Sequence, residues 1–124
     1  MSDYHESWDA LPAAARDIHR ALSSLKEEIE AVDWYHQRVV MTSDPDLRAV
    51  LAHNRDEEME HAAMTLEWLR RNMESWDDHL RTYLFTDAPI TEVEEGAETE
   101  EATPGRNGHD PATGLGIGKL KGGR

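Results

Sequence analysis

The eight glycines of this 124-residue chain all lie at Gly96 or beyond, and two of its five prolines, Pro104 and Pro111, lie there as well. The chain therefore divides into a glycine-free part and a glycine-rich tail. Only about 90 residues remain to build a core, near the size at which a single hydrophobic core is marginal. The chain has no cysteine, so neither a disulfide nor a thiolate-bound metal can staple so small a fold. Association with a second subunit is the natural remedy.

The lack of cysteine also excludes cysteine catalysis, thiolate zinc sites and iron–sulfur clusters. No apolar run approaches the ~18–20 residues that span a bilayer, and the start, Met1-Ser2-Asp3-Tyr4-His5-Glu6, lacks the basic-then-apolar order of a signal peptide. A soluble cytoplasmic protein with no membrane partner is expected. The formal charge of −13 argues against a nucleic-acid surface, which needs clustered Lys and Arg, and points toward cations or basic surfaces.

The glycine-free part reads as all-α. Pro12 suits an opening turn, and a first helix runs from Ala13 to about Val40, with Ile18, Leu22, Leu25, Ile29, Val32, Tyr35 or His36, and Val39 forming one stripe at 3-and-4 spacing. Thr42-Ser43-Asp44-Pro45 breaks it. Asp44 or Ser43 can accept from the orphan N–H groups of a second helix that starts at Pro45 and ends near Asn72. The stripe of that helix is Leu47, Val50, Leu51, Ala62, Thr65, Trp68 and Leu69. So short a link makes an antiparallel hairpin with arms of about 40 Å. A shorter segment, Trp76 to Phe85, predicts a third helix placed to embrace a neighbouring subunit, ended by Pro89. Glu92 to Glu101 is rich in glutamate and reads as solvated linker. The organisation expected is a helical domain over residues 1–95, a linker over 96–113 and a distinct terminal segment over 114–124.

One pair of residues disturbs the second stripe. At about 100° per residue, Glu58 lies about 60° from His61, while Val50 and Trp68 lie about 20° from it, so Glu58 and His61 interrupt the apolar face. An ionised carboxylate there costs several kcal/mol unless paired or metal-bound. The first helix offers Glu28, which shares one edge of its stripe with Tyr35. A Glu on one helix and Glu-x-x-His on another make half of a carboxylate-bridged di-iron centre, whose full form uses two of each on four helices. A second copy related by a two-fold axis supplies the other half and completes a four-helix bundle. Carboxylates are hard donors that stay attached as Fe(II) becomes Fe(III), and one imidazole per metal leaves positions open for dioxygen and water. The same residues are also compatible with a buried polar pair that only fixes register.

Glu27, Glu30 and Trp34 cluster on the opposite face of the first helix. That face is either simple solvent surface or a second cation-attracting site, for iron, calcium or another divalent ion, that feeds iron inward. The remaining histidines, His5, His19, His53, His79 and His109, have no ligand spacing, and there is no nucleophile–base signature or phosphate loop.

The stretch Glu27-Glu28-Ile29-Glu30-Ala31-Val32-Asp33-Trp34-Tyr35, then Leu51-Ala52-His53-Asn54-Arg55-Asp56-Glu57-Glu58 with Glu60-His61-Ala62-Ala63-Met64-Thr65-Leu66-Glu67-Trp68-Leu69-Arg70-Arg71-Asn72, and His79-Leu80-Arg81-Thr82-Tyr83-Leu84-Phe85-Thr86, resembles the encapsulated ferritins. The resemblance implies a two-helix ferritin-like subunit whose dimer creates a ferroxidase centre, assembled into a ring-shaped decamer. It implies Glu28, Glu58 and His61 as iron ligands, Tyr35 beside the centre, and Glu27, Glu30 and Trp34 as an entrance. The tail Gly114-Leu115-Gly116-Ile117-Gly118-Lys119-Leu120-Lys121 is similar to the peptides that load cargo into encapsulin shells. There Leu115, Ile117 and Leu120 would be apolar anchors, and the glycines would let an extended backbone lie close to a groove. The function expected is oxidation of Fe(II) by dioxygen and delivery of Fe(III) for mineral storage inside an encapsulin nanocompartment. The rivals are an iron carrier without turnover and a helical assembly scaffold.

Overall fold

The computed structural model describes residues 4–101, and every regular element in that range is helical. A short 3-10 turn, Trp8–Ala10, precedes helices α1 (Ala13–Met41), α2 (Pro45–Asn72), α3 (Glu74–Tyr83) and α4 (Ile90–Glu101). The chain falls into two compact units divided after Glu74.

In the first unit α1 and α2 lie side by side as an antiparallel hairpin. Pro12 at the N-cap of α1 has no side chain to cap with, and Arg16 holds the preceding turn instead. Its Nη2 donates to the Trp8 carbonyl at 2.8 Å, and its guanidinium lies 3.7 Å from the Trp8 ring centroid. At the hairpin turn the Thr42 backbone N–H donates to the Arg38 carbonyl at 2.9 Å. The Asp44 carboxylate then accepts from the Leu47 N–H at 2.8 Å, and Pro45 occupies the first turn of α2.

The seam between the helices is thin. Ile18, Ala21, Leu25, Val32 and Val39 of α1 and Leu51, Ala62 and Leu66 of α2 are half-buried, and Leu69 is the one buried residue among those described. Several members of the expected stripes are exposed: Leu47 at 50%, Val50 at 55% and Ile29 at 56%, with Leu22 and Trp68 less so. Two helices cannot enclose stripes this wide. An apolar arc broad enough for a bundle meets one neighbour along its middle and leaves both margins in solvent. Leu22, Ile29 and Val40 border one flank of α1. Val50, Met64 and Trp68 border the other flank of the hairpin, where Met64 and Trp68 line a groove with Ala21, Ser24 and Thr65.

In the second unit the third helix runs Glu74–Tyr83, two residues earlier at each end than the apolar segment suggested. It stops where Phe85 adopts φ 63°, the left-handed conformation that usually falls to glycine at a helix end. This part of the chain has no glycine to offer. The Arg81 Nε donates to Asp77 Oδ1 one turn back at 2.9 Å. Residues 92–101, where the glutamate content suggested solvated linker, belong to helix α4 instead. Glutamate and alanine are good helix formers, and Glu92 sits in the first turn where a carboxylate favours the helix dipole. The Tyr83 hydroxyl is pushed above its ordinary range, first by burial and then by the charges of Glu94 and Glu98 on α4. The remainder of the linker and the 114–124 segment lie outside the described residues.

Candidate metal centre

Position 28 of α1 and positions 58 and 61 of α2 face each other halfway along the hairpin. His61 Nδ1 lies 3.4 Å from Glu58 Oε1, one turn back on its own helix, and 3.8 Å from Glu28 Oε1 across the seam. One donor atom from each of the three falls within 4.8 Å of the others, and among the described residues this is the one such group of three. Donors bound to one ion at about 2.0–2.2 Å stand up to about 4.2 Å apart, so closing on an ion is a rotamer adjustment. Two hard carboxylates and one imidazole suit a first-row divalent metal.

The electrostatics suit a cation as well. The Glu28 carboxyl is held above the usual carboxylate range by its hydrogen bond with Glu58, then by burial, then by repulsion from the Glu58 charge. His61 pulls it down, and Glu27 pushes it up further. Two carboxyls set against one another repel when both are charged, and a divalent ion between them would offset that repulsion.

The site is open on one side. The side chains of Glu28 and Glu58 are 26% and 24% exposed, while that of His61 is 46% exposed. His61 therefore does not sit in the core stripe as its spacing suggested. It lies at the margin, on the flank that carries Val50, Met64 and Trp68.

Tyr35 is half-buried two turns along α1 from Glu28 and on the same edge, about 10 Å away along the helix axis. The Arg38 guanidinium lies 5.2 Å from its ring centroid. Glu27, Glu30 and Trp34 are exposed on the outer face of α1, with Trp34 at 50%. Leu115, Ile117 and Leu120 lie outside the described residues.

Sequence spacing missed a second polar contact across the seam, in which Arg55 Nη1 donates to His36 Nδ1 at 3.1 Å. His36 follows Ile29 by seven residues and was legible as a stripe position. Arg55 carried no comparable signal, because an arginine on a charged helix reads as solvent-facing.

A family profile described as EncFtn-like matches residues 3–87. A protein named "Ferritin-like protein" from Thermotoga maritima is 62% identical over 121 residues, which cover 97% of this chain and all of that one. An "Encapsulated ferritin-like protein" from Rhodospirillum rubrum is 55% identical over 123 residues, covering 95% of this chain and 87% of that protein. Among solved structures, the crystal structure of protein ne0167 from Nitrosomonas europaea superposes with a TM-score of 0.69 at 55% identity, over 72% of this chain and 98% of that one.

Proposed function

This chain belongs to the EncFtn-like family, and on that premise we propose that it is a ferroxidase, binding two Fe(II) ions at a centre shared by two copies of itself and oxidising them with dioxygen. The observation that carries this reading is a half-built metal site on an uncovered apolar flank. Glu28, Glu58 and His61 converge to within 4.8 Å, and Val50 and Trp68, further along the same flank of α2, stand 55% and 39% exposed. A second copy turned about a two-fold axis covers that flank and brings its own Glu28, Glu58 and His61, which completes a four-helix bundle and the donor set of a di-iron centre.

Iron here is the substrate. Glu28 and Glu58 hold each Fe(II) through hard oxygens that also suit Fe(III), and His61 supplies a single nitrogen, so coordination positions stay open for dioxygen. Each Fe(II) gives up one electron to dioxygen. A divalent cation between Glu28 and Glu58 would relieve the repulsion of their carboxylates. Tyr35 lines the same edge of α1 two turns further on, about 10 Å from Glu28 along the axis. Glu27 and Glu30, with Trp34, form an entrance that concentrates iron, calcium or another divalent cation from outside.

The hairpin has a second exposed flank, bordered by Leu22, Ile29 and Val40. Two different self-complementary flanks on one subunit link copies in alternation, and a chain of copies whose rotations close makes a ring, the decamer that the family resemblance implies. A ring encloses no cavity, so mineral storage depends on an encapsulin shell reached through Leu115, Ile117 and Leu120. The protein would then work inside a nanocompartment in the cytoplasm. A relative named as encapsulated, at 55% identity, supports that partner.

The test is aerobic Fe(II) oxidation with dioxygen consumption followed in parallel. Glu58→Ala and His61→Ala are expected to abolish turnover, and an unchanged rate in either would refute the site. Iron uptake without dioxygen consumption would make the protein a carrier. A crystal soaked in iron that shows only a carboxylate–histidine network would make it a scaffold.

A further inference from the structure

The contact from Arg55 to His36 crosses the hairpin on the flank opposite the one that Glu28, Glu58 and His61 face. We infer that Arg55 and His36 are positioning residues for the metal centre, a clasp that sets the register and roll of α2 against α1 at which Glu58 and His61 meet Glu28. The inference rests on the metal-site reading above.

Arg55 is committed to this role by its surroundings. Its side chain is 21% exposed, its Nη1 is 3.1 Å from His36 Nδ1, and its Nε donates to Asp56 Oδ1 at 3.2 Å. A guanidinium only donates, so where this contact forms His36 Nδ1 accepts and the ring carries its hydrogen on Nε2. The contact thus selects one tautomer and one ring orientation.

The seam needs such a device. Its apolar contacts are half-buried, and the one fully buried residue among those described, Leu69, lies toward the end of α2, two turns beyond His61. Sliding α2 by one residue moves it about 1.5 Å and turns it about 100°, whereas metal–ligand distances tolerate about ±0.2 Å. Arg55 precedes Glu58 by three residues, about 4.5 Å along the axis. With the donors on one flank and the clasp on the other, a roll of α2 that tightens one contact opens the other, so the pair together fix a single orientation. Released from His36, Arg55 would have Glu58 one turn away as its next acceptor, placing a cation where the metal belongs.

The test titrates the full-length assembly with Co(II), a redox-stable probe, following its ligand-field absorption. His36→Leu and Arg55→Met are each expected to weaken binding about 10- to 100-fold, the range typical of groups that orient metal ligands. The double variant should bind no more weakly than either single one, because both remove the same contact. His36→Gln, whose side-chain carbonyl can accept from Arg55, should stay within about threefold of the native protein. Arg55→Lys, which lacks the fork, replaces Arg55→Met if that variant fails to assemble, with the same loss expected.

Unchanged affinity and spectrum in the single variants, with only a lower melting temperature of the metal-free protein, would overturn the clasp as a positioning device. So would a double variant whose loss is the product of the two singles, or a His36→Gln protein as weak as His36→Leu. Glu58→Ala separates the two layers. If the native protein binds no Co(II), or Glu58→Ala binds it equally well, the metal site fails and the clasp falls with it. If Glu58→Ala abolishes binding while the clasp variants bind normally, the clasp alone is wrong.

Discussion

Replacing Glu28 by glutamine should make the metal-free protein more stable and abolish the proposed Fe(II) oxidation. Donor atoms of Glu28 and Glu58 lie within 4.8 Å of each other. Two full charges at that distance repel by about 0.9 kcal/mol in water and about 3.5 kcal/mol at an effective dielectric of 20. Both side chains are about one-quarter exposed, 26% and 24%, and solvent screening at that exposure leaves about 1 kcal/mol available. The amide introduced by Glu28→Gln keeps the hydrogen bond by donating to Glu58, which leaves the gain uncancelled. For a domain of this size that is about 4–8 °C in Tm, measured in chelator at one fixed subunit concentration because assembly itself raises Tm. The pH dependence follows from the direction of the shift. Glu28 titrates above its ordinary value of 4.5, so the native protein is relieved of repulsion at low pH and loses that relief as pH rises through the raised value. The advantage of Glu28→Gln should therefore grow as pH rises through the raised value and vanish below about pH 4.5. A Glu28→Gln protein that melts at or below the native temperature in chelator at neutral pH would refute the reasoning, whatever its activity.

Four further outcomes are expected. Glu67 pairs with Arg70 at 2.8 Å and Arg71 at 2.7 Å, and the Arg70 hydrogen bond leads in lowering its pKa to about 2. A lowered carboxylate stabilises above its unfolded value and loses that contribution as pH falls from about 4.5 toward 2. Because the side chain is 41% exposed, Glu67→Gln should cost only about 0.5–1 kcal/mol at pH 7, shrinking toward zero in acid thermal melts. Asp44→Ala removes the cap on the Leu47 N–H and should cost about 1 kcal/mol in urea unfolding. Val50→Asp charges the flank that also carries His61 and should dissociate the proposed assembly by light scattering while the proposed Fe(II) oxidation falls with it. Deleting residues 114–124 should abolish co-purification with the shell protein and leave oxidation intact; retained co-purification would place the docking signal elsewhere.

The hairpin was legible because its signals are local. Pro12, the Asp44-Pro45 start and the unbroken 3-and-4 spacing act within a turn or two of where they stand, and they mark α1 and α2 almost to the residue. Glu58 and His61 were legible for a related reason, since i and i+3 on a helix must share a side. Residues 90–101 show the limit of reading composition alone. Six glutamates between positions 92 and 101 look like solvated chain, yet glutamate is also a good helix former, and the start at Ile90 made the difference.

What the sequence by itself determined is the all-helical class, the two long arms and the identity of the three convergent donors, because helical periodicity converts spacing into direction. Only the tertiary structure decided how much of each stripe the hairpin buries. It leaves Ile29 and Val50 open on opposite flanks and His61 at a margin, because two cylinders touch along a line and cannot cover arcs wide enough for four. It also decided that Arg55 reaches His36, a contact between residues nineteen apart in sequence. The arm-to-arm register that creates this contact is a property of the assembled seam, and no local spacing encodes it.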